Sequence, residues 1–124
     1  RQSNGVIIDN KAYSRGYSLP ISQADEMIRY IEENKTRDKE QNSKEWWKHF
    51  RVDVKDFNYL FVSSEFTGSF KDRLEYIASR TGVNGAAINS ANLLLLAEEL
   101  KTNRLSYKDG LELSDKNDEI KIIS

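Results

Sequence analysis

Four consecutive apolar residues, Tyr59-Leu60-Phe61-Val62, constrain the fold of this chain more than any other segment. Side chains alternate faces along a strand, so a strand built from these four must be covered on both sides. That places it inside a sheet with helices above and below. The β-branched run Val6-Ile7-Ile8, with Gly5 at its entrance, predicts a strand ahead of it, and Ala86-Ala87-Ile88-Asn89 can be a third, short one. The segments between carry helical spacing. Ala24, Met27, Ile28 and Ile31 predict a helix from about Gln23 to Asn34, with Ser22 as its N-cap and Asp25 as the acid near its dipole. Leu74, Ile77 and Ala78 predict a second over Phe70 to Thr81, followed by the turn signal Gly82-Val83-Asn84-Gly85. Ser90 opens the most apolar helix, Ala91 to Thr102, which holds Leu93 to Leu96. Strands alternating with helices predict an α/β fold with at least partly parallel strands.

The remaining stretches read as connections. Ala12 to Pro20 is a loop rich in Ser, Gly and Tyr; Lys35 to Asn42 is almost wholly polar; Ser43 can cap a short helix holding Trp46, Trp47 and Phe50. From Asn103 onward a peripheral helix and an irregular end are expected. With 124 residues the chain is one domain, residues 1–124, able to bury a single core. Two Trp, six Tyr and five Phe argue against disorder. The absence of Cys excludes a disulfide framework and thiolate metal sites, and a reducing, cytoplasmic setting is expected. No apolar stretch is long enough to cross a membrane. A net charge of −1 excludes bulk electrostatic attraction to nucleic acid, so any action on DNA needs a separate recognition element. The chain begins Arg1-Gln2-Ser3-Asn4 and enters a core strand at once, so it reads as a piece of a longer protein.

Chemistry points to the end of the first strand. Asp9 and Lys11, two apart, project on one face, roughly 7 Å apart along the strand. A carboxylate there can ligate Mg²⁺, a hard cation that keeps several waters, and the backbone carbonyl of Asn10 could add an oxygen. Lys11 could orient or deprotonate a water and steady charge on a scissile phosphate. The bland alternative is an edge salt bridge. Acid-x-Lys occurs five times, at Asp9/Lys11, Glu33/Lys35, Asp53/Lys55, Glu99/Lys101 and Glu119/Lys121, so the triplet alone is weak. Context separates the five. Glu33 and Glu99 sit in helical segments, where i and i+2 do not share a face. Asp53 follows a helix without an apolar run, and Glu119 belongs to a polar tail. Only Asp9/Lys11 ends an apolar strand.

Other features are less specific. Trp46-Trp47 could stack on bases, but beside Phe50 the pair reads as core. His49, the one histidine, has no partner nearby in sequence, which excludes zinc and Ser-His mechanisms. Tyr13 and Arg15, just after the acid, could touch a phosphate backbone, or form an ordinary loop. Asp25 and Arg29, one turn apart, would normally form a local ion pair.

Longer blocks carry a resemblance. Gly5 to Ser14 followed by Gly16 to Met27, then Arg29-Tyr30, Glu32-Glu33-Asn34, Thr36-Arg37 and Glu45-Trp46-Trp47, are similar to the cleavage domain of FokI-type (type IIS) restriction endonucleases. The similarity continues through Leu60 to Ser63, Phe66-x-Gly68, Asn84-Gly85-Ala86 and Leu93-Leu94, and spans Gly5 to about Ile120. It implies a restriction-endonuclease-like core of the PD-(D/E)xK class, an α/β fold with a mixed β-sheet flanked by helices. Asp9 would be the second metal-binding acid and Lys11 the catalytic lysine, with Mg²⁺ as cofactor and Mn²⁺ able to substitute. The family's first acid stands on the preceding strand within a Pro-Asp pair. Here the one proline is Pro20, so the N-terminal part of the domain is expected to be missing. The resemblance further implies double-stranded DNA delivered by a separate recognition domain, and a homodimer in which Asp25 of one copy meets Arg29 of the other. Gln41 and Arg80 stand where the family's best-known member has isoleucines, which implies a weak or differently tuned dimer. Two readings follow: a Mg²⁺-dependent endonuclease module that cuts without reading sequence, or a catalytically incomplete relative acting as a dimerisation module.

Overall fold

The computed structural model describes residues 4–11, 16–49 and 56–122. Four strands, β1 (Asn4–Asn10), β2 (Asp56–Ser63), β3 (Gly85–Asn89) and β4 (Glu119–Ile120), pair in the order β1-β2-β3-β4, each parallel to its neighbour. Helices α1 (Ile21–Thr36) and α2 (Phe70–Thr81) follow β1 and β2, and α3 (Ser90–Lys101) and α4 (Tyr107–Leu113) join β3 to β4. A 3₁₀ turn, Trp46–His49, lies between α1 and β2. The α/β reading holds, and the described strands are parallel throughout.

β2 organises the two layers. Tyr59 and Phe61 point into a core built with Ala24, Met27 and Ile31 of α1 and Leu74 and Ile77 of α2. Leu60 and Val62 point the other way, to Ala86, Ile88 and Ile120, with Leu93, Leu96 and Leu113 against them. All four residues of the run are buried, as their sequence requires. Each fully buried Met, Ile or Leu of this kind contributes about 1.5–3 kcal/mol of transfer free energy. Tyr59 also donates its hydroxyl to the Leu74 carbonyl (3.1 Å), and its ring occupies the space where a Cβ of the paired Gly85 would be. Burial pushes its phenol well above the ordinary tyrosine range.

Several local expectations need correction. Ser22 is not the cap of α1: the helix begins at Ile21, and the Pro20 carbonyl accepts the first bonds, from Gln23 and Ala24. The helix also runs two residues past Asn34, closing on Arg37 in the left-handed region. α3 is capped by Asn89, whose side chain accepts from the Asn92 amide, and not by Ser90, which is its first residue. Both residue types can cap, and here Asn89 has the extended backbone that a cap needs. No cap is formed by Ser43; the backbone bond into the 3₁₀ turn runs from Lys48 to Glu45. The end of the chain is not simply irregular, because Ile120 is buried as part of β4. α2 matches its predicted span, with Gly82 closing it at φ +72°. No described helix is long and apolar enough to cross a membrane.

Candidate active site

The strand ends converge on the site. Asp9 pairs with Phe61 and Asn10 with Val62, and the Lys11 amide donates to the Val62 carbonyl at 2.7 Å, extending the ladder one residue past β1. The chain beyond is held against the loop after β2. Tyr17 donates its amide to the Glu65 carbonyl (2.7 Å), and Thr67 donates back to the Tyr17 carbonyl (3.1 Å). The carboxyl end of a parallel sheet is where open α/β folds place ligands.

At that end Lys11 Nζ lies 3.2 Å from Asp9 Oδ2, with the two side chains 18% and 15% exposed. The ion pair that the bland alternative called for is therefore present. Asp9 Oδ2 is buried, and this ion pair is its partner in the structure. Beside it opens a cavity of about 270 Å³ lined by Ile7, Ile8, Asp9, Glu26, Tyr30 and Trp46. A carboxylate on the wall of a cavity, with a lysine beside it, fits a hard cation with oxygen ligands. Among the described residues no group of three or more His, Cys, Asp or Glu forms a closed metal site.

Two lining residues, Glu26 and Tyr30, were not singled out for chemistry by the residue pattern, and a third, Trp46, read as core. The Tyr30 hydroxyl donates to Glu26 Oε1 at 3.0 Å, and Trp46 meets the Tyr30 ring edge-on at 5.9 Å. Trp46-Trp47 divides its roles. Trp47 is buried as core, whereas Trp46 is half-buried on the cavity wall. The indole is anchored by Glu33, a buried carboxylate that accepts from Trp46 Nε1 (2.8 Å), Asn42 Nδ2 (3.1 Å) and Arg29 Nη1 (3.1 Å). Burial raises the Glu33 pKa, but these bonds and the Arg29 charge outweigh it and hold the group below the ordinary glutamate value. The signal for Glu26 and Tyr30 was their i, i+4 spacing on one helix face, which does not by itself say that the face looks at Asp9.

Asp25 and Arg29 occupy the outer side of α1. Among the described residues no ion pair joins them. Asp25 Oδ1 instead accepts from the Tyr76 hydroxyl of α2 at 2.7 Å, and Arg29 pairs with Glu33 and lies over the Tyr30 ring at 4.8 Å. The bond to Asp25, with a smaller effect of burial, holds the Tyr76 phenol above its ordinary value. Arg80 stacks on Tyr76 at 4.4 Å, and Gln41 is exposed beyond α1. The other acid-x-Lys matches diverge. Glu33 turns to Trp46 while Lys35 caps the Thr81 carbonyl, and Glu99 pairs with Arg104. His49 is exposed. Tyr13, Arg15, Phe50 and Asp53/Lys55 lie outside the described residues.

The comparisons agree with this fold. The family model of the FokI cleavage domain matches residues 1–121. The chain is 48% identical over 105 residues to the type II restriction enzyme FokI of Planomicrobium okeanokoites, covering 85% of this chain and 18% of the relative. It is 35% identical over 104 residues to StsI of Streptococcus sanguinis, covering 84% and 17% respectively. Two solved structures of restriction endonuclease FokI, one bound to DNA, superimpose at a TM-score of 0.90 with 44% identity over 94% of this chain, which spans 21% and 20% of theirs. The chain thus spans about a fifth of the length of these relatives. With a parallel α/β core, an acid-lysine pair at its first strand end and a family match running almost from end to end, the chain belongs to the FokI cleavage domain family.

Proposed function

We propose that this chain is the DNA-cleavage module of a type IIS-like restriction endonuclease, hydrolysing phosphodiester bonds with Mg²⁺ and without reading sequence. The observation that carries the reading is the Asp9–Lys11 pair at the end of β1, beside a cavity that Asp9 lines. Asp9 and the backbone carbonyl of Asn10 would hold the cation, and Mn²⁺ could replace it. When bound, the cation supplies a Lewis acid for the phosphoryl oxygens. Lys11 does the rest of the chemistry that this strand can offer. Its ammonium is held beside Asp9, where it can donate a hydrogen bond to position the attacking water and offset negative charge gathering on the phosphate.

DNA reaches the site through a separate recognition domain, as the chain's near-zero net charge requires, and one of the FokI structures similar to it is bound to DNA. Cutting both strands calls for two copies. Asp25 and Arg29, exposed on the outer side of α1, suit a two-fold interface in which each Asp25 meets the other copy's Arg29. Tyr13 and Arg15 would lie along the phosphate backbone. The exposed Asp25/Arg29 side also supports the second reading, association without catalysis. Plasmid nicking with Mg²⁺, by the domain extended upstream to include its first acid, separates the two. Asp9→Ala and Lys11→Ala should each abolish cutting while circular dichroism shows the fold retained, and undiminished cutting by either variant would sink the nuclease assignment.

A further inference from the structure

β2 ends on a hydroxyl that the fold does not use. Ser63 is 1% exposed, and its Oγ has no hydrogen-bond partner. The nearest polar contact leaves it aside, since the Ser90 hydroxyl donates to the Ser63 carbonyl at 3.4 Å. Burying a hydroxyl without a bond is unfavourable, and unpaired buried polar groups are few in native proteins. Packing gives no reason for the choice. The four residues before Ser63 are apolar and buried, and alanine would fill nearly the same space without the penalty. A polar group kept at such a cost calls for a partner met in another arrangement of the site.

The sheet places that partner next door. Asn10 pairs with Val62 and the Lys11 amide donates to the Val62 carbonyl, so the next step of the register sets Lys11 across from Ser63. Ile7 and its pair Tyr59 both face the core under α1 and α2. Two residues on, Asp9 and Phe61 share that face, and two further on, Lys11 and Ser63. The two side chains therefore leave neighbouring strands, about 4.8 Å apart, on the same side as Asp9. An ammonium carries three donors on a flexible four-carbon stem, long enough to span that spacing. Lys11 is largely buried, and among the described residues its side-chain partner is Asp9 Oδ2 at 3.2 Å. A buried ammonium with donors to spare thus stands beside a buried hydroxyl with lone pairs to spare. While Lys11 is paired to Asp9, its charge is spent on that carboxylate. To aim a donor at a water or a phosphate it must turn on its stem, and the Ser63 oxygen can hold it once turned.

We propose that Ser63 is a positioning residue for Lys11: its hydroxyl accepts a hydrogen bond from the turned ammonium and sets where the remaining N–H groups point. The proposal rests on the nuclease reading, and its test separates the two. In the domain extended upstream to include its first acid, Ser63→Ala should lower kcat for plasmid cleavage roughly ten- to a hundredfold, with KM for DNA unchanged. Its melting temperature should equal or exceed that of the unchanged domain, because an unpaired buried hydroxyl has been removed. A second readout needs no cleavage. Asp9→Ala takes away the ion pair, so the magnetic resonance signal of the Lys11 ammonium should persist through its bond to Ser63. In Asp9→Ala with Ser63→Ala that signal should be lost to exchange with water. An unchanged kcat in Ser63→Ala overturns the proposal. So does a fall in kcat accompanied by a lower melting temperature, which would mark Ser63 as structural, or a Lys11 signal that is the same with and without the hydroxyl. Lys11→Ala distinguishes the levels. If it stops cleavage while Ser63→Ala does not slow it, only the Ser63 role falls; if Lys11→Ala cuts undiminished, the nuclease reading falls.

Discussion

Glu33 offers the most quantitative test of how this site is held. It is a buried carboxylate on α1 with three donors, and replacing it by Ala removes all of them together. The Arg29 bond contributes least, since that side chain is 55% exposed and exposed ion pairs are worth roughly 0–1 kcal/mol. Bonds from Trp46 and Asn42 go to a charged acceptor, for which about 1.5–3 kcal/mol each is usual. Both donors are only partly buried, so water can reach them after the substitution, and about 1 kcal/mol each applies instead. Glu33→Ala should therefore cost about 2–3 kcal/mol. For a chain of this length that is a fall in melting temperature of roughly 8–12 °C. Glu33→Gln keeps an acceptor for Trp46 but turns an amide toward Arg29, and should cost about half as much.

The pH dependence carries an independent sign. The native pKa of Glu33 lies below its ordinary value of 4.5, so its contribution is complete above that value and is lost as pH falls through the lower native pKa. The stability gap between the unchanged chain and Glu33→Gln should thus be widest near neutral pH and narrow as pH falls below the ordinary glutamate value. Urea denaturation across pH 3 to 7 measures it. Glu32→Ala, on the same helix but half-exposed with Lys35 3.8 Å away, is the control and should change stability by less than about 0.5 kcal/mol. A Glu33→Ala variant as stable as that control, or a gap that widens toward acid, would refute the reasoning.

Two further outcomes follow from particular contacts. Gly85→Ala should cost about 1–3 kcal/mol in urea denaturation, because the added Cβ meets the Tyr59 ring between paired strands of the core. In sedimentation, Asp25→Arg and Arg29→Asp should each weaken self-association and the double reversal restore it. Tyr76→Phe should strengthen it by releasing Asp25 from its in-chain bond.

What could be read from the sequence was decided by how local its cause is. β2 was legible because four apolar residues in a row leave no exposed face, and α2 because Gly82 ends it with a backbone few other residues adopt. β4 was hidden, since two residues in a polar stretch carry no period, and its burial at Ile120 comes from α3 and β3 rather than from its neighbours in sequence. Both α1 and α3 were displaced at their starts because Pro20, Ser22, Asn89 and Ser90 are all acceptable boundary residues, and tertiary packing chose among them. Asp9 and Lys11 could be paired in advance because strand alternation alone puts them on one face. Glu26, Tyr30 and Trp46 could not, since nothing in their spacing tells how α1 is rotated against the sheet.

That rotation is set by packing, and it gives α1 three separate tasks. Ala24, Met27 and Ile31 are fully buried, so the stripe they form must face Tyr59 and Phe61. At about 100° per residue, Tyr30 and Glu26 then fall to one side of the stripe, about 90° and 130° from it, and Asp25 and Arg29 to the other, about 130° and 170° from it. The first side meets the end of β1 at the cavity, and the other is left at the surface. Burying one apolar stripe therefore fixes both which side chains line the cavity and which charges stay at the surface. Arg29 touches both arrangements, through Glu33 and the Tyr30 ring. An interface that draws Arg29 outward would withdraw a donor from Glu33 and the cover from Tyr30, so pairing of two copies and the geometry at Asp9 are linked through a single helix.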